Sequence, residues 1–170
     1  MSGAGDKLRD RQHLAVALLC LWLIATSPWI AMLRRMPSSA GWLDYAHVGL
    51  GFVALLLACT YTATCCRAGR WRLYFPLFGG MSAVARDLGG LVRGRIPSAE
   101  GGGLFALIEG LLLIALLLTA VTGAAWFLLQ GAETVLAWRQ WHLYAARSLA
   151  GLMVVHAISV SLHLVDLIRD

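Results

Sequence analysis

The chain has 170 residues, of which 59% are hydrophobic and only 14% are charged, and its mean hydropathy is +0.73. This composition excludes an ordinary soluble domain of this length and predicts a membrane protein. The formal net charge of +5 does not call for a nucleic-acid partner, because basic loops and anionic headgroups explain it in a membrane protein.

Four apolar stretches are each long enough to cross a hydrocarbon core about 30 Å thick, which needs roughly 20 helical residues. They cover about residues 13–33, 42–64, 104–129 and 138–168. Open strands cannot satisfy their backbone groups in lipid, so the sequence predicts an all-α integral membrane four-helix bundle that forms a single domain over residues 1–170. The first stretch follows basic residues, as a signal peptide would. It is long, however, and no clear small-x-small cleavage site closes it, so we expect a retained span.

The basic residues predict how the chain is oriented in the membrane. Ten of the fourteen Lys and Arg residues fall at the termini or in the middle loop, residues 67–103. Arg34, Arg35 and Arg139 fall on the opposite side, and Arg147 falls within a span. The positive-inside rule therefore predicts that both termini and the middle loop are cytoplasmic.

The connections between the spans differ in length. The two outer ones, about residues 34–41 and 130–137, are too short to form a catalytic domain. The middle loop contains the segment SAVARDLGGLV between glycine-rich stretches, and this segment predicts an interfacial helix.

The four cysteines exclude several kinds of redox centre. Cys20, Cys59, Cys65 and Cys66 form no C-x-x-C-H motif for covalent haem, no C-x-x-C pair for zinc and no run for an iron–sulfur cluster. We expect them to pack between helices as small apolar side chains.

The fourth stretch contains three histidines, in WHLYAARSLAGLMVVHAISVSLH. An ionisable residue in a span is costly and indicates a functional site. At about 100° per residue, His156 lies within roughly 40° of His142, and His163 about 20° further round, so all three share one helix face. The rise of about 1.5 Å per residue separates His142 from His156 by about 21 Å, which leaves room for two stacked macrocycles.

A haem iron held by two imidazoles needs a second histidine at the same depth on another helix. His47 enters the second span at a depth comparable to that of His142, and His13 begins the first span at its inner end. Depth does not decide whether His156 or His163 is the partner of His13. The pattern predicts two haems.

Other interpretations of these histidines remain. A single histidine near a membrane boundary is more often an interfacial or hydrogen-bonded side chain, and a histidine pathway for metal ions or protons is a further alternative. Gly49 and Gly51 follow His47 and leave room for a flat ring, as does Gly151 on the fourth span. Small residues also serve plain helix packing.

The four spans, His13 in the first, His47 in the second and WHLYAARSLAGLMVVHAISVSLH in the fourth resemble the bacterial di-haem cytochrome b561 superfamily. This family includes the cytochrome b subunits of nickel–iron hydrogenases and formate dehydrogenases, and a stand-alone cytochrome b561 that acts as superoxide oxidase. The resemblance covers nearly the whole chain. It implies two non-covalent haem b groups, a quinone as substrate and a multi-pass protein of the bacterial inner membrane.

The resemblance also implies a ligand set. It pairs His47 with His142 at an outer haem and His13 with His156 at an inner haem. His163 is then not a ligand. In the stand-alone branch a histidine at its position lies near the quinone pocket, which makes the same role for His163 a hypothesis.

The middle of the chain favours one branch of the family. YFPLFGG, RDLGGLVRGRIP and LLLTAVTGAAW are similar to the hydrogenase and formate dehydrogenase subunits, and the third span has no histidine, unlike the stand-alone branch. The resemblance therefore implies an electron-transfer subunit of a respiratory complex with a redox partner on the periplasmic side, although the chain is shorter than most such subunits.

Two charged residues within the spans have open roles. Glu109, near the inner end of the third span, either relays cytoplasmic protons to a quinone or is a hydrogen-bonded acid in the helix packing. Arg147 lies at roughly 140° to the histidine face, where it either snorkels outward or reaches a haem propionate. Two other functions also remain open, namely a stand-alone superoxide oxidase and a haem-free bundle that conducts metal ions or protons.

Overall fold

The computed structural model describes residues 4–69, 71–75, 81–94 and 102–169, without the side chains of residues 4–10, 73 and 163–169. Helices, turns, bends and irregular connections make up this part of the chain, with no strand. The α-helices are α1 (Ala4–Thr26), α2 (Trp42–Arg67), α3 (Trp71–Tyr74), α4 (Met81–Val92), α5 (Leu104–Leu128) and α6 (Val135–Arg169). A short 3₁₀ helix, Ser27–Trp29, follows α1.

Four helices are long enough and apolar enough to cross a membrane. The spans are Arg11–Trp29, Trp42–Arg67, Leu104–Leu128 and Val135–Leu162. The most apolar windows of these spans bury between 6% and 22% of their residues inside the protein, so most of their side chains are available to lipid. For the described residues, the prediction of an all-α chain with four helices able to cross a membrane is confirmed.

The first helix ends earlier than the sequence predicted, at Thr26 instead of residue 33. Pro28 has no backbone N–H and cannot donate to the carbonyl of Ile24, as the next helical residue would. The Ser27 hydroxyl donates to that carbonyl instead, at 2.8 Å. The chain then turns through the 3₁₀ helix, and the residues up to 33 belong to the connection.

The second helix begins at Trp42, as predicted, and Asp44 stabilises this end. One carboxylate oxygen accepts the backbone N–H of Gly41 at 2.9 Å, and the other accepts that of Ala31 at 3.3 Å. A carboxylate in the first turn also complements the positive end of the helix dipole. Asp44 therefore fixes the start of α2 and the connection that leads to it.

The contacts divide the chain into two compact units. The first consists of Met1–Ala63 and Ala115–Arg147, and the second of Thr64–Ile114 and Ser148–Asp170. In the first unit, hydrogen bonds tie the connection between α1 and α2 to α5 and to the connection between α5 and α6. These run from Trp126 Nε1 to the Leu33 carbonyl (2.9 Å), from the Gly131 N–H to the Arg34 carbonyl (2.9 Å), and from the Met36 N–H to Gln130 Oε1 (2.8 Å).

In the second unit, the middle loop forms the predicted helix as α4. Asp87 on this helix accepts the backbone N–H of Leu104 at 2.8 Å and so caps the start of α5. Gly103 permits this approach, because a Cβ there would overlap the Asp87 carboxylate. Whether α4 lies in the membrane interface stays a prediction.

Candidate functional site

His142, on α6, is held by the backbone of α5. Its Nδ1 lies 2.9 Å from the carbonyl oxygen of Thr119. A carbonyl only accepts hydrogen bonds, so Nδ1 carries the proton, and a neutral ring in this state has its lone pair on Nε2. The ring is half-buried. The carbonyl oxygen of Thr119 therefore fixes the orientation and the tautomer of the ring. Because this oxygen belongs to the main chain, no side-chain substitution removes it directly.

Gly123 lets the His142 ring come close to α5. A Cβ at position 123 would lie 2.9 Å from Cε1 and 3.0 Å from Nδ1 of the ring. Thr119 and Gly123 are four residues apart and so share one face of α5. The Thr119 carbonyl, which accepts the hydrogen bond of the imidazole, and Gly123, which leaves space for the ring, are thus neighbours on α5.

His47, on α2, is held in a similar way by α1. Its Nδ1 lies 3.2 Å from the hydroxyl oxygen of Thr26. That hydroxyl also donates to the carbonyl of Trp22 at 2.9 Å, within α1. When its single proton is used in this way, its oxygen accepts the Nδ1–H of His47, and the lone pair of this ring is on Nε2.

The two imidazoles belong to the same compact unit. His47 and His142 are both half-buried in the first unit. Two histidines on different helices, each with Nδ1 engaged and Nε2 available, are a donor set that fits an iron porphyrin.

There is also space on the same face of α2. Gly51 lies one turn after His47, and a Cβ built there would meet no atom within 4 Å. Gly49 also has no atom within 4 Å of such a Cβ, but it lies on another side of the helix. Gly51 therefore leaves room beside His47, as a flat ring would need.

The two histidines predicted to hold the inner haem fall in different units. His13 belongs to the first unit, on α1, and its side chain is exposed. The neighbouring Gln12 donates from Nε2 to the Leu57 carbonyl at 3.1 Å and to Thr60 Oγ1 at 2.9 Å, which ties this part of α1 to α2. The pairing of His13 with His156 stays a prediction.

His156 belongs to the second unit, where it contacts an aromatic ring of α5. Its imidazole lies 5.4 Å from the Phe105 ring, between centroids, with an angle of 51° between the planes. Glu109 is one turn beyond Phe105 and so lies on the same face of α5. This placement is compatible with both roles that the sequence left open for Glu109.

Two further candidate residues lie on α6, Arg147 and His163. Arg147 is exposed, which agrees with the snorkelling alternative. His163 falls within α6, but its side chain lies outside the described residues. Its role at a quinone pocket stays a prediction.

Sequence reasoning missed four residues of the first unit. Thr119 and Gly123 both occur in LLLTAVTGAAW, and their spacing of four could have indicated a face that receives an imidazole. Arg139 was placed on the outer side, but its half-buried position was not foreseen. Thr26 carried no signal, because its contact with His47 depends on how α1 packs against α2.

Comparisons with known proteins identify no relative of this chain. No protein-family model matches the chain, and neither a curated protein nor a solved structure matches it. The resemblance described above therefore depends only on the residues quoted for it.

Proposed function

We propose that the protein is a di-haem b-type membrane cytochrome that carries electrons between a redox partner on the periplasmic side and the quinone pool, as a subunit of a respiratory oxidoreductase in the bacterial inner membrane. One observation carries the proposal. His47 and His142 belong to one compact unit, on two helices long and apolar enough to cross a membrane, and each is oriented through Nδ1 so that Nε2 is available.

The residues of the chain supply ligation and orientation, while a bound haem supplies a one-electron couple. His47 and His142 would hold the outer haem, and His13 and His156 the inner one. Two imidazoles on one iron would leave no open coordination site, so the site would be suited to electron transfer and not to oxygen binding. Thr26 and the Thr119 carbonyl keep the two outer rings in the ligating tautomer.

The inner end would exchange electrons with a quinone. His163, within two turns of His156 on one helix face, is the candidate donor of a hydrogen bond to a quinone carbonyl. Glu109 is the carboxyl best placed to relay protons from the cytoplasm. Both roles come from the sequence and its resemblance.

The donor would be a separate protein docked on the outer side. The two outer connections are short and are tied to each other by hydrogen bonds, so they form a fixed surface and no redox domain of their own. Rapid reduction of the haems by superoxide, without any partner, would contradict the subunit role and favour a superoxide oxidase.

The ligand assignment is tested by single substitutions in the purified protein. His142→Ala should remove the outer haem and leave the inner one, and His156→Ala should do the converse, because each iron loses one axial ligand. His163→Ala is the matched control and should retain both. Two haems per chain in the His142→Ala variant would refute the outer assignment, and loss of a haem in the control would refute the inner one.

A further inference from the structure

The guanidinium of Arg139 contains a buried donor atom. Its Nε is inaccessible to solvent and has no hydrogen-bond partner among the residues that the structure describes. A guanidinium stays charged under all ordinary conditions. A buried donor without an acceptor is unfavourable, and more so when it is charged, so this position calls for an anionic group that the described part of the chain does not provide there.

The position of Arg139 indicates which group that is. It precedes His142 by three residues on α6, which places it about one turn further out and roughly 60° away around the helix. Both residues belong to the first unit. A haem held by His142 has two propionate carboxylates at its edge, and a guanidinium pairs with a carboxylate through charge-assisted hydrogen bonds.

We propose that Arg139 binds a propionate of the outer haem. This inference rests on the proposed function. It assigns to Arg139 the propionate contact that the sequence left open for Arg147. Arg139 is the arginine with the buried donor atom, whereas the side chain of Arg147 is exposed. Arg139 would raise the affinity of the outer site for haem and would raise its reduction potential, because a positive charge nearby favours the reduced, less positive iron.

A lipid headgroup at the outer surface offers the same chemistry, since a phosphate also accepts hydrogen bonds from arginine. The two sources predict different behaviour. If a propionate is the partner, the properties of one haem depend on Arg139. If a lipid phosphate is the partner, the properties of both haems do not depend on Arg139. Substitution of Arg139 then changes the amount of phospholipid that remains bound in neutral detergent.

The experiment is a redox titration of the full chain with Arg139→Gln, beside Arg34→Gln as the matched control. Arg34 is also an outer arginine, but its side chain is exposed, and its backbone contact to Gly131 survives the substitution. We expect Arg139→Gln to keep both haems and to lower the potential of one of them, while Arg34→Gln leaves both potentials close to those of the wild type.

A second measurement uses haem whose propionates are esterified. The apoprotein, reconstituted with haem b or with its dimethyl ester, should prefer the free acid on the order of tenfold or more at one site, and Arg139→Gln should abolish this preference. Unchanged potentials and an unchanged preference would overturn the inference, as would a shift produced by Arg147→Gln in place of Arg139→Gln. A wild-type chain that binds no haem would instead refute the proposed function.

Discussion

The imidazole of His142 lies against the backbone of Gly123, and a side chain at position 123 would occupy the place of the ring: a Cβ there would come within 2.9 Å of Cε1. The carbonyl that accepts the Nδ1–H belongs to Thr119, one turn earlier on the same helix. One face of α5 thus holds a histidine of α6 without contributing a ligand of its own.

Gly123→Ala should therefore damage the outer haem site. The added methyl group displaces the imidazole, although alanine in a helix is otherwise favoured over glycine by about 1 kcal/mol. We expect the purified variant to lose the outer haem or its low-spin absorption bands. Gly89→Ala, within α4, is the matched control, because a Cβ at that helical position meets no atom within 4 Å. Equal spectra for the two variants would contradict the role of Gly123.

Thr26→Val should raise the reduction potential of the outer haem. Valine keeps the shape of threonine but removes the oxygen that accepts the Nδ1–H of His47, and this bond makes the imidazole a more basic ligand, which favours ferric iron. Thr62→Val is the control, since the Thr62 hydroxyl bonds only to the Ala58 carbonyl of its own helix among the described contacts. A redox titration in which both variants behave alike would rule out this role for Thr26.

Much of this architecture was predictable from the sequence, for physical reasons. Apolar runs of sufficient length predict spans, and the starts of α2 at Trp42 and α5 at Leu104 agreed with the prediction. The end of α1 did not. The apolar residues continue to Leu33, whereas Pro28 interrupts the hydrogen bonds of the helix at Thr26. The hydropathy of the sequence does not detect this interruption, because the apolar stretch continues beyond Pro28.

The candidate site was predictable only in part. Helical periodicity placed the three histidines of α6 on one face, and depth suggested His47 as the partner of His142. The hydrogen bonds that fix the two rings come from α1 and α5, and they depend on how separate helices pack. A one-dimensional pattern does not contain that packing, so Thr26 and the Thr119 carbonyl appeared only in three dimensions.

Asp87→Ala should destabilise the inner end of α5. The substitution removes the carboxylate that caps the Leu104 N–H, and loss of a helix cap costs about 0.5–2 kcal/mol. We expect a lower midpoint of thermal unfolding in detergent and faster proteolysis of the middle loop. Arg86→Ala, an exposed neighbour on the same helix, should leave both unchanged. A normal midpoint for Asp87→Ala would show that the cap contributes little.

His163→Gln should separate ligation from quinone chemistry. If His163 donates a hydrogen bond to a quinone carbonyl and is not a ligand, the variant keeps both haems and their spectra but is reoxidised more slowly by a quinone analogue. Stopped-flow reoxidation of the dithionite-reduced protein measures this. Unchanged reoxidation here, together with its loss on substitution near the outer haem, would move the quinone site to the periplasmic side and reverse the proposed direction of proton uptake.

The central claim is that this chain holds two haems between its spans, and the haem content of the purified wild-type protein tests it most directly. Pyridine haemochrome analysis against protein concentration should give two haem b groups per chain, extractable with acidic acetone because no cysteine motif attaches them covalently. A colourless protein that stays colourless after expression with excess haem would contradict the account, and one haem per chain would refute the pairing of His13 with His156.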